Sequence, residues 1–423
     1  MIQFILLKYF SNKETLDNFF WRSLQIFGKQ GITFLIFIVC AFLLPPFEFG
    51  IYNYILAIIY FLIMFGDFGI STSVSKYVAE YSLTDKNKLR NVLFSSGALI
   101  FGLTIIITVL TVLFGEFYLK ENYIYILYLL PMLFLSPMTS LYDGIYRGLK
   151  RFKELAIISI IVGIISIFMI YFLIINFGLL GALIAQNLFY LILLIVLAVS
   201  YRDFDLKINK QLIKEIGTYS LLVGLSTMGL FLYTRVDIIV LGYFGLIEEI
   251  AYYEIINKIF TIILLPVTIL ATVVAPNTTK NFALKKFKYL KQKILKESIA
   301  LFFIGLFVSI ILFFVAPFSF QIVFQEYNPL ILMNLLSIFL ILIPLRYFST
   351  YLTVGYITPS GNAKILTKYL IFFGIVNLIL DLLLIEQFGL IGVVYATLIS
   401  QILFIFFKDI VSFLPMVFRN AKI

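Results

Sequence analysis

Residues 155–200 read LAIISIIVGIISIFMIYFLIINFGLLGALIAQNLFYLILLIVLAVS, without a single charged side chain. A membrane-crossing helix needs roughly 20 consecutive, mostly apolar residues. This stretch holds two such runs, 155–176 and 181–200, with FGLLG (Phe177–Gly181) between them. Working outward, similar runs cover 19–44, 50–72, 91–114 and 122–145 on one side. On the other they cover 216–244, 250–275, 297–317, 327–350, 365–386 and 391–413. Backbone polar groups in lipid must be satisfied within the segment, so runs of this kind predict α-helices. The expected fold class is an all-α integral membrane protein of about twelve transmembrane helices.

The whole composition agrees. Of 423 residues, 62% are hydrophobic, 18% aromatic and 13% charged, and mean hydropathy is +1.07. A soluble protein of this length could not hide so much apolar side chain. The chain has no histidine, which removes the commonest general base and metal ligand. Its single cysteine, Cys40, allows no internal disulfide and no thiolate metal cluster. No cofactor is expected. The opening MIQFILLKYF is apolar but too short to span, and reads as an interfacial start rather than a signal peptide.

The net charge is +10, from 32 Lys+Arg against 22 Asp+Glu. Its placement matters more than its size. One set of connections holds Lys86, Lys88 and Arg90, then Arg147, Lys150, Arg151 and Lys153, then Arg202 to Lys214. It continues with the lysines from Lys280 to Lys296, then Lys364 and Lys368. The alternate set holds Lys120 against Glu48, Glu116, Glu121, Glu248, Glu249, Glu326 and Glu386. Basic loops stay in the cytoplasm. The expectation is a multi-pass protein of the cytoplasmic (inner) membrane with both termini cytoplasmic. The basic runs read as topology signals over anionic lipid, not as a nucleic-acid site.

The two halves match at an offset of 211 residues. FGLLG at Phe177–Gly181 returns as FGLIG at Phe388–Gly392, and Gly144, Lys153, Gly163 and Ala185 return as Gly355, Lys364, Gly374 and Ala396. Six spans per half give both halves the same orientation, a parallel repeat about an axis along the membrane normal. The expected domains are residues 1–205 and 206–423, two parallel six-helix bundles joined by the polar stretch Tyr201–Glu215. Such a pair suits a transporter that holds its substrate near the midplane and opens to each side in turn.

Ionisable residues inside a span are costly and are functional candidates by default. The first span carries Arg22, Gln25 and Lys29; Arg22 and Lys29, seven apart, share a face. The second carries Asn53, Tyr60 and Asp67, the seventh Arg235 and Asp237, and the eighth Glu254, Asn257 and Lys258. Arg346 and Asp381 lie in the tenth and eleventh. Cations at Arg22, Lys29, Arg235, Lys258 and Arg346 suit an anionic, oxygen-rich head group such as diphosphate. Asp67, Asp237, Glu254 and Asp381 are candidates for ion coupling or gating. Plainer readings stand beside these. Arg22 and Arg346 lie near the inner face, where long side chains snorkel. Glu254 and Lys258, four apart, could neutralise each other. Arg235 and Asp237, two apart, point apart and need separate partners. Asp67, in GDFG, reads equally as a helix-end anchor.

Several motifs fail. No Walker A sequence is present, which argues against direct ATP use. Without histidine and without GxSxG there is no serine triad. Asp203-Phe204-Asp205 mimics a glycosyltransferase DxD, but in a loop too short to enclose a sugar nucleotide. Gly144 and Gly148 form a GxxxG, a weak packing signal.

Three stretches resemble a known family, the O-antigen-type lipid-linked oligosaccharide flippases of polysaccharide biosynthesis. They are FGDFGISTSVSKYVAEY (Phe65–Tyr81), YDGIYRGLKRFKEL (Tyr142–Leu155) and RVDIIVLGYF (Arg235–Phe244). The resemblance implies the multidrug-and-toxin-extrusion-like fold. It also implies transport of a polyprenyl-diphosphate-linked oligosaccharide between leaflets, for surface polysaccharides such as lipopolysaccharide O-antigen. The family's cationic cavity falls on Arg22, Lys29 and Arg235. The implied partners are that lipid-linked substrate, membrane lipids, an H+ or Na+ counter-ion and other polysaccharide assembly proteins, with no nucleic acid and no enzymatic activity. Lipid II flippases of the same superfamily carry two further helices, and no apolar run follows Phe413. Drug exporters of this fold carry an acid in the first helix, where this chain has Arg22 and Lys29. A cation-coupled multidrug exporter of the same fold is the first alternative. A membrane polysaccharide polymerase or ligase is the second, disfavoured by short outer loops.

Overall fold

The structure, a computed structural model, describes residues 13–420. The interfacial start and both chain termini lie outside the described residues. Those residues are helical almost throughout. In chain order the helices are α1 (Lys13–Leu43), α2 (Pro46–Asp67), α3 (Ile70–Thr84), α4 (Lys86–Leu119) and α5 (Tyr123–Gly148). Next come α6 (Phe152–Ser200), α7 (Lys210–Thr234), α8 (Val236–Tyr243), α9 (Ile247–Ile263) and α10 (Leu265–Ala283). The last five are α11 (Phe287–Val323), α12 (Pro329–Leu352), α13 (Ala363–Phe388), α14 (Leu390–Ile405) and α15 (Leu414–Asn420). Two π-helical turns, Thr353–Ile357 and Phe406–Phe413, continue α12 and α14.

Ten stretches of the described residues are long and apolar enough to cross a membrane. Two of them far exceed one crossing, and both are interrupted. Lys86–Gly148 is broken by the 3-10 turn Lys120–Asn122, and Phe152–Ser200 is broken at Gly178. The outward faces are apolar, as lipid requires. On α4, Phe101, Ile106, Leu113 and Phe117 are exposed, and on α11 so are Phe303, Phe307, Phe314 and Phe318.

Helix ends follow local chemistry. Pro46 opens α2, where its missing N–H costs nothing. Asp85 caps α4 by accepting from the amides of Asn87 (3.1 Å) and Lys88 (3.0 Å). The second apolar run does not stay one straight helix. It breaks at Phe68 and Gly69, both at positive φ, and restarts as α3.

The FGLLG repeat has a backbone cause. Gly178 sits at φ 54°, ψ −134°, and Gly389 at φ 56°, ψ −134°, a conformation that glycine adopts far more readily than residues with a Cβ. A Cβ on Gly181 would lie 2.0 Å from the Leu173 carbonyl oxygen, and one on Gly392 2.3 Å from that of Leu384. Each motif therefore makes the same hairpin, 211 residues apart. Lys150 and Gly361, at the same offset, both have positive φ. Gly163 receives Ile32 of α1, and Gly374 receives Leu232 of α7.

The chain divides into two compact units, residues 1–228 and 229–423. The division falls inside α7, not at the linker where the repeat suggested it. The reason is a set of polar ties holding the first part of α7 and the segment before it to α3 and α4. Ser220 donates to Ser73 (2.9 Å), and the Asn209 amide donates to Ser95 (2.9 Å). Glu215 accepts from Tyr81 and lies 3.5 Å from Lys88. Arg90 clasps both Asp203 (3.3 Å) and Asp205 (3.1 Å), which accounts for the DFD triplet. Burial pushes the Tyr201 phenol, at the head of this segment, up to about 12.

Candidate functional site

In the first unit, α1, α2, α3, α5 and α6 surround a cavity of about 200 Å3. Lys29 and Thr33 reach it from α1, Asp143 and Arg147 from α5, and Gln186 and Tyr190 from the second half of α6. The Gly178 break is what swings that second half into place. Close approach of α3 and α5 closes the far wall. A Cβ on Gly144 would lie 2.3 Å from the Ser71 carbonyl oxygen, and one on Gly148 2.7 Å from Val78. The weak GxxxG signal is thus a real crossing.

Charges on this cavity are mostly spoken for. Arg22 donates to Gln25, the buried Gln25 amide donates to Asp143 (2.9 Å), and Asp143 pairs with Arg147 (2.7 Å). The two expected face-mates of α1 therefore differ. Arg22 is anchored in this chain, whereas Lys29 is exposed and makes no ion pair with any described residue. Asp143 was not singled out in the sequence, although it lies within an apolar run, and Arg147 was read there only as a topology signal on a basic connection, whereas it lines the cavity. Asp67 anchors the restart of α3 by accepting from the Ser71 amide (3.0 Å) and hydroxyl (2.8 Å).

In the second unit, Arg235 and Asp237 find separate partners, as their spacing demands. Arg235, at the break between α7 and α8, reaches both oxygens of Glu254 (3.2 and 3.1 Å), and Asn257 donates to the same carboxylate (3.1 Å). Lys258 lies one turn on from Glu254 and in its electrostatic field. Asp237 meets Asp381 within hydrogen-bonding contact. Tyr253 and Thr397 donate to Asp237, and the Asn377 amide reaches both carboxylates. Ser400 donates to Asn377 (2.6 Å). All of these side chains are buried, and Asp381 Oδ1 has no hydrogen-bond partner. Two anions cannot remain buried side by side unless a proton or cation joins them. The oxygens of Asp237, Asp381, Asn377 and Thr397 are the hard donors that such an ion takes.

Arg346 donates to the Tyr233 hydroxyl (3.3 Å). Beyond it lies a pair absent from the sequence expectations. Lys408 is wholly buried, with its ammonium on Asp409 (2.5 Å), Ser349 (3.1 Å) and Thr353 (2.7 Å). Both residues fall within the last apolar run, so the rule that flagged the other charges also flags these.

A lipid-facing helical shell around buried polar networks defines a multi-pass membrane protein, and comparison agrees. A model of the family described as polysaccharide biosynthesis protein matches residues 15–282, more than half the chain. The chain belongs to that family. Two uncharacterized membrane proteins of Methanocaldococcus jannaschii are related. One is 26% identical over 91% of this chain and 94% of its own length, the other 22% identical over 92% and 82%. Among solved structures, an inward-facing multidrug resistance MATE family transporter of the MOP superfamily matches with TM-score 0.75. It is 16% identical and covers 95% of this chain and 99% of that one. Lipid II flippase MurJ, inward closed, matches with TM-score 0.75 and 17% identity over 95% and 90%. A MOP superfamily transporter from Pyrococcus furiosus, whose binding pocket is described as of reverse polarity, matches with TM-score 0.60 and 18% identity over 97% and 96%. At these identities the likeness is one of fold.

Proposed function

We propose that this chain is a flippase moving a polyprenyl-diphosphate-linked oligosaccharide across the cytoplasmic membrane for surface polysaccharide assembly. Both termini face the cytoplasm, and other polysaccharide assembly proteins supply and consume the substrate. Each half forms one six-helix bundle of the repeat, and transport proceeds by alternating access. The observation that carries the reading is Lys29, a cation that forms no ion pair with any described residue, on a hydroxyl-bearing cavity in a chain of a polysaccharide biosynthesis family. A site for a cationic drug would place an unpaired carboxylate there, whereas Asp143 is taken by Gln25 and Arg147. Arg22, seven residues before Lys29 on the same helix, adds positive field for the diphosphate. Asp237 and Asp381 bind the coupling cation, H+ or Na+, while Asp67 and Glu254 hold helix breaks in position.

The test is reconstitution into liposomes with a fluorescent polyprenyl-diphosphate oligosaccharide, following its arrival in the opposite leaflet. Lys29→Ala should slow transport at least about tenfold, the loss of one charge-assisted contact, and Lys29→Arg should restore most of it. Transport untouched by Lys29→Ala would sink the cation's role. Drug efflux with no lipid transport by the wild type would select the multidrug-exporter reading.

A further inference from the structure

We propose that the cavity of the first unit is a sugar site, taking one pyranose ring of the transported head group. This rests on the flippase reading above and names the chemistry of its cavity. Four observations lead to it.

The first is the lining. Apart from Lys29 and the mutually neutralised Asp143–Arg147 pair, the polar wall is uncharged: serine, threonine, tyrosine and glutamine. Hydroxyl and amide groups both donate and accept, as ring hydroxyls require of a partner. A diphosphate would call for several unpaired cations; the remaining wall, Ile32, Ile36, Leu155, Leu193 and Leu197, is aliphatic, so the cavity is amphipathic, as a sugar ring is. The second is shape. At about 200 Å3 the space is several times the ~30 Å3 share of one water, room for a sugar ring. Tyr60, Phe189 and Tyr190 give it apolar faces for the C–H side of a ring.

The third is the repeat. At the offset of 211 residues, Ser136, Ser140 and Ser159 of the cavity correspond to Tyr347, Tyr351 and Leu370. All three of those are buried in the second unit. The same fold therefore fills these positions with bulk in one half and leaves them small and hydroxylated in the other. The fourth is position. Lys29 stands on the same wall, so a ring in the cavity lies beside a cation able to meet the neighbouring diphosphate.

The experiment compares binding of two probes by purified protein in detergent, a polyprenyl diphosphate and the same lipid bearing one hexose. The wild type should bind the glycosylated lipid at least about tenfold more tightly, as two or more added hydrogen bonds imply. Ser140→Tyr with Ser159→Leu, which copies the second unit, should bind both probes equally, at the wild-type affinity for the bare diphosphate. Ser140→Ala and Ser159→Ala add no volume and guard against misfolding; each should cut the preference about fivefold, one hydrogen bond's share. A wild type without preference, or variants that keep it, would overturn the sugar site and leave the diphosphate reading intact. If neither lipid binds, the flippase reading fails and takes this one with it.

Discussion

Lys408 and Asp409 illustrate what a residue's position does and does not reveal. Their place inside an apolar run was legible, as was that of Asp237, Asp381 and Glu254. Their partners were not. Gln25 meets Asp143, and Asp237 meets Asn377 and Thr397, across gaps in sequence that no helical periodicity encodes. Spacing did predict that Arg235 and Asp237 would separate, because two residues along a helix is more than half a turn apart. The buried pair gives a stability prediction. Removing one partner of a buried ion pair strands the other charge, at about 3–5 kcal/mol. Lys408→Met should therefore lower the thermal midpoint in detergent sharply, while Lys408→Met with Asp409→Leu should recover most of the loss. A single variant as stable as the wild type would mean the pair carries no structural weight.

At the scale of elements, helix existence followed from the apolar runs, but helix lengths did not. Helices continue past the runs into charged segments such as Lys86–Arg90 and Phe287–Lys296, because lysine and arginine are good helix formers outside the bilayer as well. The breaks split by mechanism. Gly178 and Gly389 were marked by the repeat and the break at Phe68 by GDFG, whereas Arg235 carries no breaker signal of its own. Glycine at a crossing and glycine on an open face should respond oppositely to a methyl group. At Gly144 a Cβ would meet the Ser71 carbonyl at 2.3 Å, while at Gly31 nothing lies within 4 Å. Gly144→Ala must push α3 and α5 apart, costing about 1–3 kcal/mol as overpacking does. Gly31→Ala, mid-helix in α1, should stabilise by roughly 0.5–1 kcal/mol. Thermal unfolding of the two variants side by side checks the contrast, and equal shifts would show that the α3–α5 contact yields freely.

For the whole molecule, duplication left one plan and two interiors. The shared plan was readable in the offset of 211 residues, because the hairpin glycines are fixed by backbone geometry and cannot drift. The interiors diverged because side chains within a bundle answer only to their own contents. The first unit keeps a hydroxyl-bearing cavity with a lysine that no described residue pairs. The second keeps two carboxylates, Asp237 and Asp381, pressed together on Asn377. The proposed function gives substrate to one unit and the coupling ion to the other, and its second half is measurable without any lipid substrate. A ligand that binds only the folded state stabilises it by about 2.7 kcal/mol at a hundredfold excess over its Kd. The thermal midpoint should therefore rise with sodium at constant ionic strength, against choline. If the proton is the coupling ion, it should rise instead on acidification of sodium-free buffer. Asp381→Asn should flatten the response, since an amide cannot supply the anionic oxygen that the ion needs. Asp67→Asn should leave the response intact, because Asp67 spends its oxygens on Ser71. A wild type indifferent to both ions would reduce the Asp237–Asp381 pair to a structural knot, and the driving force would have to come from the substrate gradient itself.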